Sequence, residues 1–380
     1  MAIKKWNWQK DDWPYFSYTN GIINGQEERY QFYAGQSYGI KQTFGDKDVL
    51  NLDVELILNE AFRTSEIEGE LLDRDSLQSS IRKHFGFQEP TLRNNPREIG
   101  ITRMMLDLYK NFNDPLTHET LFNWHLQLMN GRSDILIGEY RTHEDPMQVV
   151  SGSGDIYNPV IHYEAPPSHD VPKEMERFIE WFNSTRQLPP LLRAGVAHFY
   201  FLSIHPFEDG NGRVARALIE KSLDQHLEYA GLLSTSTVIQ EKKNAYYNAL
   251  ETQNKHNQID NWLVYFADTM LEAQKCTIKD MQFLVQKGHF FDKYRDQMNE
   301  YQSKVITRIL KEGRNGFKGG LSRKNYVIIA KVSAATATRQ LTDLLTKGIL
   351  TTEGKGRSVR YYLNLEFKST QKFKRDESLR

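Results

Sequence analysis

The sequence predicts a mainly α-helical protein that contains two β-hairpins. Apolar residues recur at helical spacing in several stretches, as Leu52 and Leu56 illustrate. Residues 147–163 hold two β-prone runs on either side of a glycine-containing turn, which indicates the first hairpin. Residues 301–366 show a helix–helix–helix–hairpin order, which is typical of a winged helix-turn-helix and supplies the second hairpin.

The N-terminal region is predicted to combine an aromatic-rich segment with helices. Residues 1–48 are rich in aromatic residues, Gly and Asn, and we interpret them as irregular chain that is held in place by its aromatic side chains. A helix is predicted over about 50–69, where Gly69 provides a natural stop. A second helix follows, and residues 89–96 are predicted to form a loop.

The middle of the chain is predicted to be helical on both sides of the first hairpin. Two helices share residues 97–130; they are separated at 113–115, and either Thr117 or the preceding turn can cap the second. The apolar segment 191–204 is the best candidate for a central buried helix. Further helices are predicted from 171 to about 186, from 213 to about 226, and up to about 275.

The C-terminal unit has clear helix boundaries. Ser322 and Ser333 are predicted to cap its second and third helices, and Gly348 is predicted to end the third. The predicted division of the chain is an N-terminal domain (1–96), a central catalytic domain (97–275), a connecting helix (276–300), a winged helix-turn-helix (301–366) and a charged tail (367–380).

The charge of the chain is balanced overall but unevenly distributed. The sequence has 49 basic and 49 acidic residues, yet residues 276–380 hold 22 Lys and Arg against 10 Asp and Glu, a net charge of +12. The preceding 275 residues therefore carry a net charge of −12. A basic C-terminal third suggests an anionic partner, nucleic acid first. The alternative is a solvated basic face without a partner.

Cysteine content and hydropathy restrict the compartment. Cys276 is the only cysteine, which excludes an internal disulfide and a cysteine-based metal site. The N-terminal residues lack an apolar core of signal-peptide length. The most apolar run, 194–204, is shorter than the roughly 20 residues that span a bilayer. We expect a soluble cytoplasmic protein with no membrane partner.

A glycine-rich loop, HPFEDGNGR at 205–213, is predicted to bind an anion. Gly210 and Gly212 lie where the next helix begins, and the unpaired N–H groups and dipole of a helix N-terminus favour negative charge. Arg213 and Arg216 share one face of that helix. Two guanidinium groups aimed at one place suit a polyphosphate better than a single carboxylate.

Two further side chains of this loop suggest acid–base and metal chemistry. Asp209 offers an oxygen ligand to Mg²⁺, which proteins usually hold with one or two carboxylates together with phosphates and water. His205 is a candidate general base for an attacking hydroxyl. These groups describe the transfer of a phosphorus group from a nucleotide to a hydroxyl, and the chain has neither a P-loop nor protein-kinase motifs. The alternative is a glycine-rich turn with a capping Asp and surface arginines.

The segment HPFEDGNGRVAR, residues 205–216, resembles the Fic signature HxFx[DE]GNGRxxR without departure. The resemblance implies a helical enzyme that transfers AMP from ATP to a Ser, Thr or Tyr hydroxyl of a target protein. The implied roles are general base for His205, Mg²⁺ ligand for Asp209, α-phosphate cradle for Asn211 and the backbone of Gly210 and Gly212, and phosphate contacts for Arg213 and Arg216.

The resemblance extends to both sides of the signature. The hairpin at 147–163 lies where the family has a flap that aligns the target peptide by strand addition, and a purely structural hairpin is the alternative. Tyr247 and Asn254, which lie about two helical turns apart, resemble the adenine-side segment of the family. The alternative is that the tyrosines of this segment are core residues.

An inhibitory motif precedes the signature. Thr64, Glu68 and Gly69 in TSEIEGE fit the family pattern [ST]xxxE[GN]. The resemblance implies that Glu68 pairs with Arg216, repels the γ-phosphate and leaves ATP in a non-productive pose. A solvated acidic helix end is the alternative. The N-terminal stretch WNWQKDDWPYF also resembles the small domain that precedes Fic in many bacterial members with a C-terminal winged helix.

The C-terminal unit offers candidate contacts to DNA. Arg339 and Gln340 lie near the start of the predicted recognition helix, and Lys355 and Arg357 lie in the predicted wing. The alternatives are that this unit pairs with another protein, including a second copy of the chain in a homodimer, or that it supplies the acceptor hydroxyl.

Three functions remain open on the sequence. The first is an autoinhibited protein adenylyltransferase that uses ATP and Mg²⁺. The second is a DNA-binding regulator whose Fic domain senses a nucleotide, although an intact His205 argues against a dead sensor. The third is a Fic enzyme that removes AMP, or that transfers another nucleotide or phosphocholine.

Overall fold

The computed structural model describes residues 5–89, 95–151, 160–314, 316–317 and 319–365. The chain divides into two compact units, 1–278 and 279–380. Helices dominate both units, as the sequence predicts, and two short antiparallel hairpins complete the described part of the chain.

The first unit is built from helices and one hairpin. In chain order its elements are α1 (Asn24–Lys41), α2 (Asp46–Ile67), α3 (Arg74–His84), α4 (Pro96–Asn111), α5 (His118–Leu128), β1 (Gln148–Ser151), β2 (Val160–Glu164), α6 (Val171–Ser184), α7 (Pro190–Ile204), α8 (Asn211–Leu227), α9 (Thr235–Glu241), α10 (Lys243–Gln253) and the first half of α11 (Asp260–Tyr294).

The presence of α1 corrects the expectation that residues 1–48 are irregular chain. Tyr30 and Ala34, one turn apart on α1, are buried in the core of this unit. The outer face of the same helix carries Phe32, which is 70% exposed. Because apolar residues lie on both faces, the sequence pattern does not mark one side as the core side.

A carboxylate fastens α1 to the start of α7. Glu27 is buried and accepts hydrogen bonds from the backbone N–H groups of Leu191 (3.2 Å) and Leu192 (2.9 Å). These N–H groups lie in the first turn of α7, where they have no partner within the helix and where negative charge is favourable. Burial raises the pKa of Glu27.

Several predicted helix boundaries are confirmed. The helix α2 ends just before Gly69, whose φ of 80° is the left-handed conformation that glycine adopts readily. Thr117 caps α5 by accepting a hydrogen bond from the backbone N–H of Thr120 at 3.1 Å. The helix α8 begins at Asn211, two residues before the expected start.

The helix α7 is the central buried helix, as its apolar sequence predicts. All of its residues except Leu202 are buried. It packs most extensively against α8, and Trp262 of α11 stacks on its His198 with ring centroids 5.8 Å apart. Because two buried helices flank the loop at 205–210, the position of that loop is fixed from both ends.

The predicted first hairpin is present in the described residues. β1 pairs with β2 in antiparallel register, with Gln148 opposite Glu164 and a register shift between Val149 and Val150. The predicted turn residues 152–154 and the start of the predicted second strand, 155–159, lie outside the described residues. Tyr163 of β2 is buried, and its hydroxyl donates a 2.6 Å hydrogen bond to the backbone carbonyl of Ser203 on α7.

The second unit shows the predicted order of elements. After the second half of α11 come α12 (Glu300–Lys311), α13 (Arg323–Ala330), α14 (Ala334–Thr346), β3 (Leu350–Glu353) and β4 (Arg360–Leu363). Ser322 and Ser333 cap α13 and α14, each by accepting a hydrogen bond of 3.1 Å from a backbone N–H three residues later. The assignment of this unit to the winged helix-turn-helix class stays a prediction, and the predicted tail at 367–380 lies outside the described residues.

Among the described residues, no helix is both long enough and apolar enough to cross a membrane.

We expect Gly100→Ala to destabilise the first unit by about 2–3 kcal/mol, because overpacking a tight contact costs energy. A Cβ atom on Gly100 of α4 would lie 1.9 Å from the backbone oxygen of Gln127 on α5. Gly39→Ala in α1 is the matched control, since no atom lies within 4 Å of its Cβ position. That change should stabilise the helix by about 0.5–1 kcal/mol. Urea unfolding followed by circular dichroism measures both, and equal shifts would contradict the close packing of α4 on α5.

Candidate active site

His205 occupies the point where α7 ends. Its backbone is left-handed, with φ 51° and ψ 59°, and its N–H donates to the carbonyl of Phe201 at 3.0 Å. Nδ1 lies 3.4 Å from the carbonyl oxygen of Leu202, which only accepts, so Nδ1 carries the proton and Nε2 keeps its lone pair. Burial and the nearby charge of Arg141 lower the pKa of His205 to about 4. The imidazole is therefore neutral at physiological pH and able to accept a proton.

The loop after His205 is held by its own side chains. Phe207 is fully buried and stacks on His125 with ring centroids 4.1 Å apart. The amide of Asn211 accepts from the Phe207 N–H at 3.0 Å and donates to the Phe207 carbonyl at 2.8 Å. The Asn211 side chain therefore closes the loop, while its backbone N–H lies at the start of α8, where it is available to an anion. The part of Asn211 in the expected phosphate cradle stays a prediction.

Two glycines bring other groups close to the start of α8. Gly210 has a φ of 79°, and a Cβ there would lie 2.4 Å from Cε of Met129. A Cβ on Gly212 would lie 2.5 Å from Oε1 of Glu68. The carboxylate of Glu68 therefore covers the N-terminal turn of α8, where free N–H groups and the helix dipole favour an anion.

Both signature arginines are buried and paired with the end of α2. Arg216 donates to the hydroxyl of Thr64 (2.7 Å), to the carbonyl of Thr64 (3.0 Å) and to Oε1 of Glu68 (2.7 Å). Arg213 donates to Oε2 of Glu70 at 2.7 Å. The sequence predicts the first of these pairs and misses the second, although Glu70 lies only two residues after Glu68.

Asp209 is half exposed and is also paired with a cation. Arg132 donates to its Oδ2 at 2.9 Å and, with two 2.7 Å hydrogen bonds, to the carboxylate of Asp134. The sequence does not single out Arg132. Among the described residues, no cluster of three or more His, Cys, Asp or Glu side chains could hold a metal ion. A single carboxylate fits Mg²⁺ when the ion arrives with polyphosphate oxygens, which complete its coordination.

A cleft of about 500 Å³ joins these groups to the hairpin and to α10. Tyr247, 39% exposed, and Asn254 both line it, and their assignment to the adenine side of a nucleotide stays a prediction. Asn254 caps the end of α10, and its Nδ2 donates to the carbonyl of His162 in β2 at 3.0 Å. Its Oδ1 is buried and has no hydrogen-bond partner among the described residues.

The residues predicted to contact DNA in the second unit differ in their exposure. Arg339 and Lys355 are exposed. Gln340 corrects the prediction, because only 8% of it is exposed and its Oε1 accepts a 2.8 Å hydrogen bond from the Tyr326 hydroxyl. It faces the core of the unit and not a DNA groove. The side chain of Arg357 lies outside what the structure describes.

Comparison with known families agrees with this site. Residues 115–223 match the model of the Fic/DOC family, and residues 6–87 match a model described as a domain of unknown function. The chain contains a Fic domain. The match includes the whole loop and both signature arginines, and it lies inside the predicted central domain, 97–275.

Named relatives are distant. The chain is 25% identical over 164 residues to the protein adenylyltransferase fic-1 of Caenorhabditis elegans, which covers 42% of this chain and 30% of that protein. It is 34% identical over 92 residues to the protein adenylyltransferase Fic of Drosophila yakuba, which covers 24% of this chain and 18% of that protein. The chain thus spans about a third or less of the length of these relatives.

Solved structures show the same fold. A Fic family protein from Desulfovibrio desulfuricans G20 superposes with a TM-score of 0.54 at 20% identity, over 92% of this chain and 98% of that chain. A Fic domain containing signaling protein from Bacteroides thetaiotaomicron VPI-5482 gives a TM-score of 0.50 at 20% identity, over 66% of this chain and 97% of that chain.

We expect the His205 imidazole to stay neutral down to about pH 5, well below the ordinary histidine value of about 6.5. The reason is burial, reinforced by the positive charge of Arg141. A titration of ¹³C-labelled histidines by NMR measures this, with the His205 signal assigned from its absence in His205→Ala. A midpoint near the ordinary value would show that burial and Arg141 do not lower the pKa of His205.

Proposed function

We propose that the protein is an autoinhibited protein adenylyltransferase, which transfers AMP from ATP to a Ser, Thr or Tyr hydroxyl of a target protein. The observation that carries the proposal is the neutral His205 beside the anion-binding start of α8 in one cleft. The names of the distant relatives support a transferase of this class.

The chemistry follows from the positions of the side chains. Nε2 of His205 takes the proton of the target hydroxyl, whose oxygen attacks the α-phosphorus of ATP. The bond to the β-phosphate oxygen breaks, and pyrophosphate leaves. The N–H groups at the start of α8 hold the phosphates, and Arg213 and Arg216 neutralise their charge. Mg²⁺ held at Asp209 would neutralise phosphate charge in addition.

The hairpin is proposed to present the target. β1 and β2 form a two-stranded sheet, so each strand keeps one edge without a strand partner in the described residues. An extended segment of a target protein can add to such an edge through backbone hydrogen bonds. Val150 and Val160 are exposed on these strands, and Val150 lines the cleft that holds His205.

Glu68 is proposed to inhibit the enzyme in this conformation. Its carboxylate lies on Arg216 and above Gly212, in the place that a terminal phosphate of ATP would use. Because two anions repel each other, ATP binds productively only after Glu68 leaves. Glu70 adds to the proposed inhibition, because its carboxylate pairs with Arg213 in the same way.

We expect Glu68→Gly to raise the rate of AMP transfer, including transfer to the protein itself, by about 10- to 100-fold. A charge-assisted hydrogen bond is worth about 1.5–3 kcal/mol, and its loss frees Arg216 for phosphate. The measurement is incubation with ATP labelled on the α-phosphate or the γ-phosphate. Glu66→Gly is the matched control, because Glu66 pairs with Arg63 on the same helix end and does not contact either signature arginine.

The position of the incorporated label on ATP also distinguishes AMP transfer from the alternative functions. Incorporation of the α-label alone supports AMP transfer. Incorporation of the γ-label, release of AMP from a modified target, or equal rates for wild type and Glu68→Gly would contradict the proposal and favour other Fic chemistry or nucleotide sensing.

We expect His205→Ala in the Glu68→Gly background to abolish transfer while ATP still binds, since the base is lost and the anion site remains. Asp209→Ala should lose both activity and the dependence on Mg²⁺. Isothermal titration with ATP and the labelled assay measure the two effects. Equal activity with and without His205 would remove this residue from the mechanism.

The second unit supports an additional role in DNA binding. Its net charge, its helix–helix–helix–hairpin order and the exposure of Arg339 and Lys355 favour a winged helix on duplex DNA. On this proposal the protein combines the enzyme with a DNA-binding regulator.

We expect the full chain to bind random duplex DNA with a log–log salt slope of about −4 to −5, as about five phosphate contacts would give. Lys355→Ala should weaken binding to every sequence, and Arg339→Ala should alter preference between sequences. Arg97→Ala, which removes an exposed cation from the first unit, is the control. Absence of binding at low salt would exclude DNA and favour a homodimer, which sedimentation then tests.

A further inference from the structure

A buried arginine outside the Fic signature forms hydrogen bonds with the backbone of His205 and of the residues on both sides of it. Arg141 lies between α5 and β1, and only 1% of it is exposed. Its Nε donates to the carbonyl of His205 at 2.8 Å, and its Nη2 donates to the carbonyl of Ile204 at 3.3 Å. Its own backbone N–H donates to the carbonyl of Pro206 at 3.0 Å. Three consecutive carbonyls around the proposed base therefore accept from one residue.

The same guanidinium reaches the segment that leaves the hairpin. Nη2 donates to the carbonyl of Pro166 at 2.5 Å, and Nη1 donates to the hydroxyl of Ser168 at 2.9 Å. β2 ends at Glu164, so Arg141 ties the exit of the hairpin to the end of α7. The hairpin and the end of α7, which must lie close together for the proposed transfer, are therefore joined through the side chain of Arg141.

These contacts do not have the pattern of an ordinary buried ion pair. Within the described part of the chain, no carboxylate forms a salt bridge with Arg141, and the partners are neutral oxygens. Burying a cation without a counter-ion is costly, and burial lowers the pKa of Arg141 to about 10. The carbonyls at a helix C-terminus carry the negative end of the dipole, which partly offsets that cost.

The backbone that Arg141 contacts is one that an ordinary residue avoids. His205 is left-handed at φ 51°, a conformation that is uncommon for residues other than glycine, although His, Asn and Asp adopt it more often than the rest. Such a conformation persists when surrounding contacts over-determine it. The hydrogen bonds on both sides of His205 over-determine this conformation, and they also set the direction in which the imidazole leaves the backbone.

We propose that Arg141 is a positioning residue for His205: its planar fork fixes the left-handed end of α7, so that the imidazole faces the cleft at a set distance from the hairpin. The inference rests on the proposed function for its catalytic consequence, because it assigns His205 the role of base. It adds a residue that the Fic signature does not contain.

Arg193 provides a matched control. It is also 1% exposed, and it donates to the carbonyl of Phe182 (2.8 Å), to the carbonyl and hydroxyl of Ser222 (both 3.2 Å) and to Oε1 of Gln225 (2.8 Å). It lies near the start of α7, away from the cleft, and its partners are neutral as well. A purely structural role for Arg141 predicts that both arginines behave alike.

The experiment compares Arg141→Lys with Arg193→Lys in the full chain carrying Glu68→Gly. Lysine keeps the charge but replaces the fork by a single point donor. We measure Tm, the Kd for ATP, kcat for AMP transfer, and the NMR signal of the His205 imidazole at one fixed pH. We expect kcat to fall about 10- to 100-fold in Arg141→Lys, since small misplacements of a reacting group cost this much.

The control measurements distinguish a positioning effect from a loss of ATP binding or of stability. The Kd for ATP should change less than about twofold in Arg141→Lys, because the anion site at α8 is intact, and the His205 signal should shift. Arg193→Lys should lower Tm with kcat and the His205 signal unchanged. Equal losses of kcat in the two variants, or an unchanged His205 signal in Arg141→Lys, would overturn the inference.

Two further comparisons keep the test decisive. If Arg141→Lys does not fold, Ser168→Ala removes one partner of the guanidinium; a shifted His205 signal then supports the inference and an unchanged one overturns it. If the Glu68→Gly parent transfers no AMP, the proposed function fails, while the His205 signal in the two lysine variants still decides whether Arg141 positions the ring.

Discussion

The site depends on two buried helix ends that meet in one short loop. α7 ends at Ile204 and α8 begins at Asn211, and both helices are buried. The last carbonyls of one helix and the first N–H groups of the other have no partner within their helices, and burial keeps water from satisfying them. A cation is favourable at the first end and an anion at the second. Arg141 lies at the carbonyl end and the carboxylate of Glu68 lies at the N–H end.

The remaining charges of the site are arranged in pairs of opposite sign. Arg216 pairs with Glu68, Arg213 with Glu70, and Asp209 with Arg132. On the proposed function, a polyphosphate would have to replace carboxylates that already bind the arginines, and two of those carboxylates lie at one end of α2. Removing one partner of a buried pair leaves an unpaired charge, so the exchange is favourable only when the incoming anion serves both arginines.

The carboxylates that pair with Arg213 and Arg216 both come from the end of α2, and a hydrogen-bonded glutamate anchors that helix. Glu60, two turns before Glu68, is buried and accepts hydrogen bonds of 3.1 and 3.0 Å from the backbone N–H of Ser236 on α9. Burial raises its pKa to about 7. The helix ends at Ile67, so Glu68 and Glu70 lie at and just beyond the end of an anchored helix.

Sequence reasoning singled out the residues of the contiguous loop and, through the family resemblance, the distant Glu68–Arg216 pair, but it missed Arg132, Arg141 and Glu70. The loop at 205–216 is contiguous, so residue type and spacing suffice to predict a base, an anion site and two arginines. Arg132 and Arg141 come from elsewhere in the chain, 77 and 64 residues from their partners in the loop, and no local pattern marks them. Gln340 is different: it lies three residues after buried Ala337 on α14, so helical spacing already places it on the core face.

The attachment of the hairpin gives the proposed transfer its geometry. Tyr163 of β2 is bonded to the carbonyl of Ser203, two residues before His205, and Arg141 bonds the chain after β2 to the carbonyl of His205 itself. A target segment added to the hairpin would therefore be held by its backbone at a fixed offset from the base. Selection of the acceptor then depends on which residue of an extended segment reaches that offset. On the proposed function, a Ser, Thr or Tyr hydroxyl would serve there because each can give its proton to His205, and the surrounding side chains of the target would add specificity.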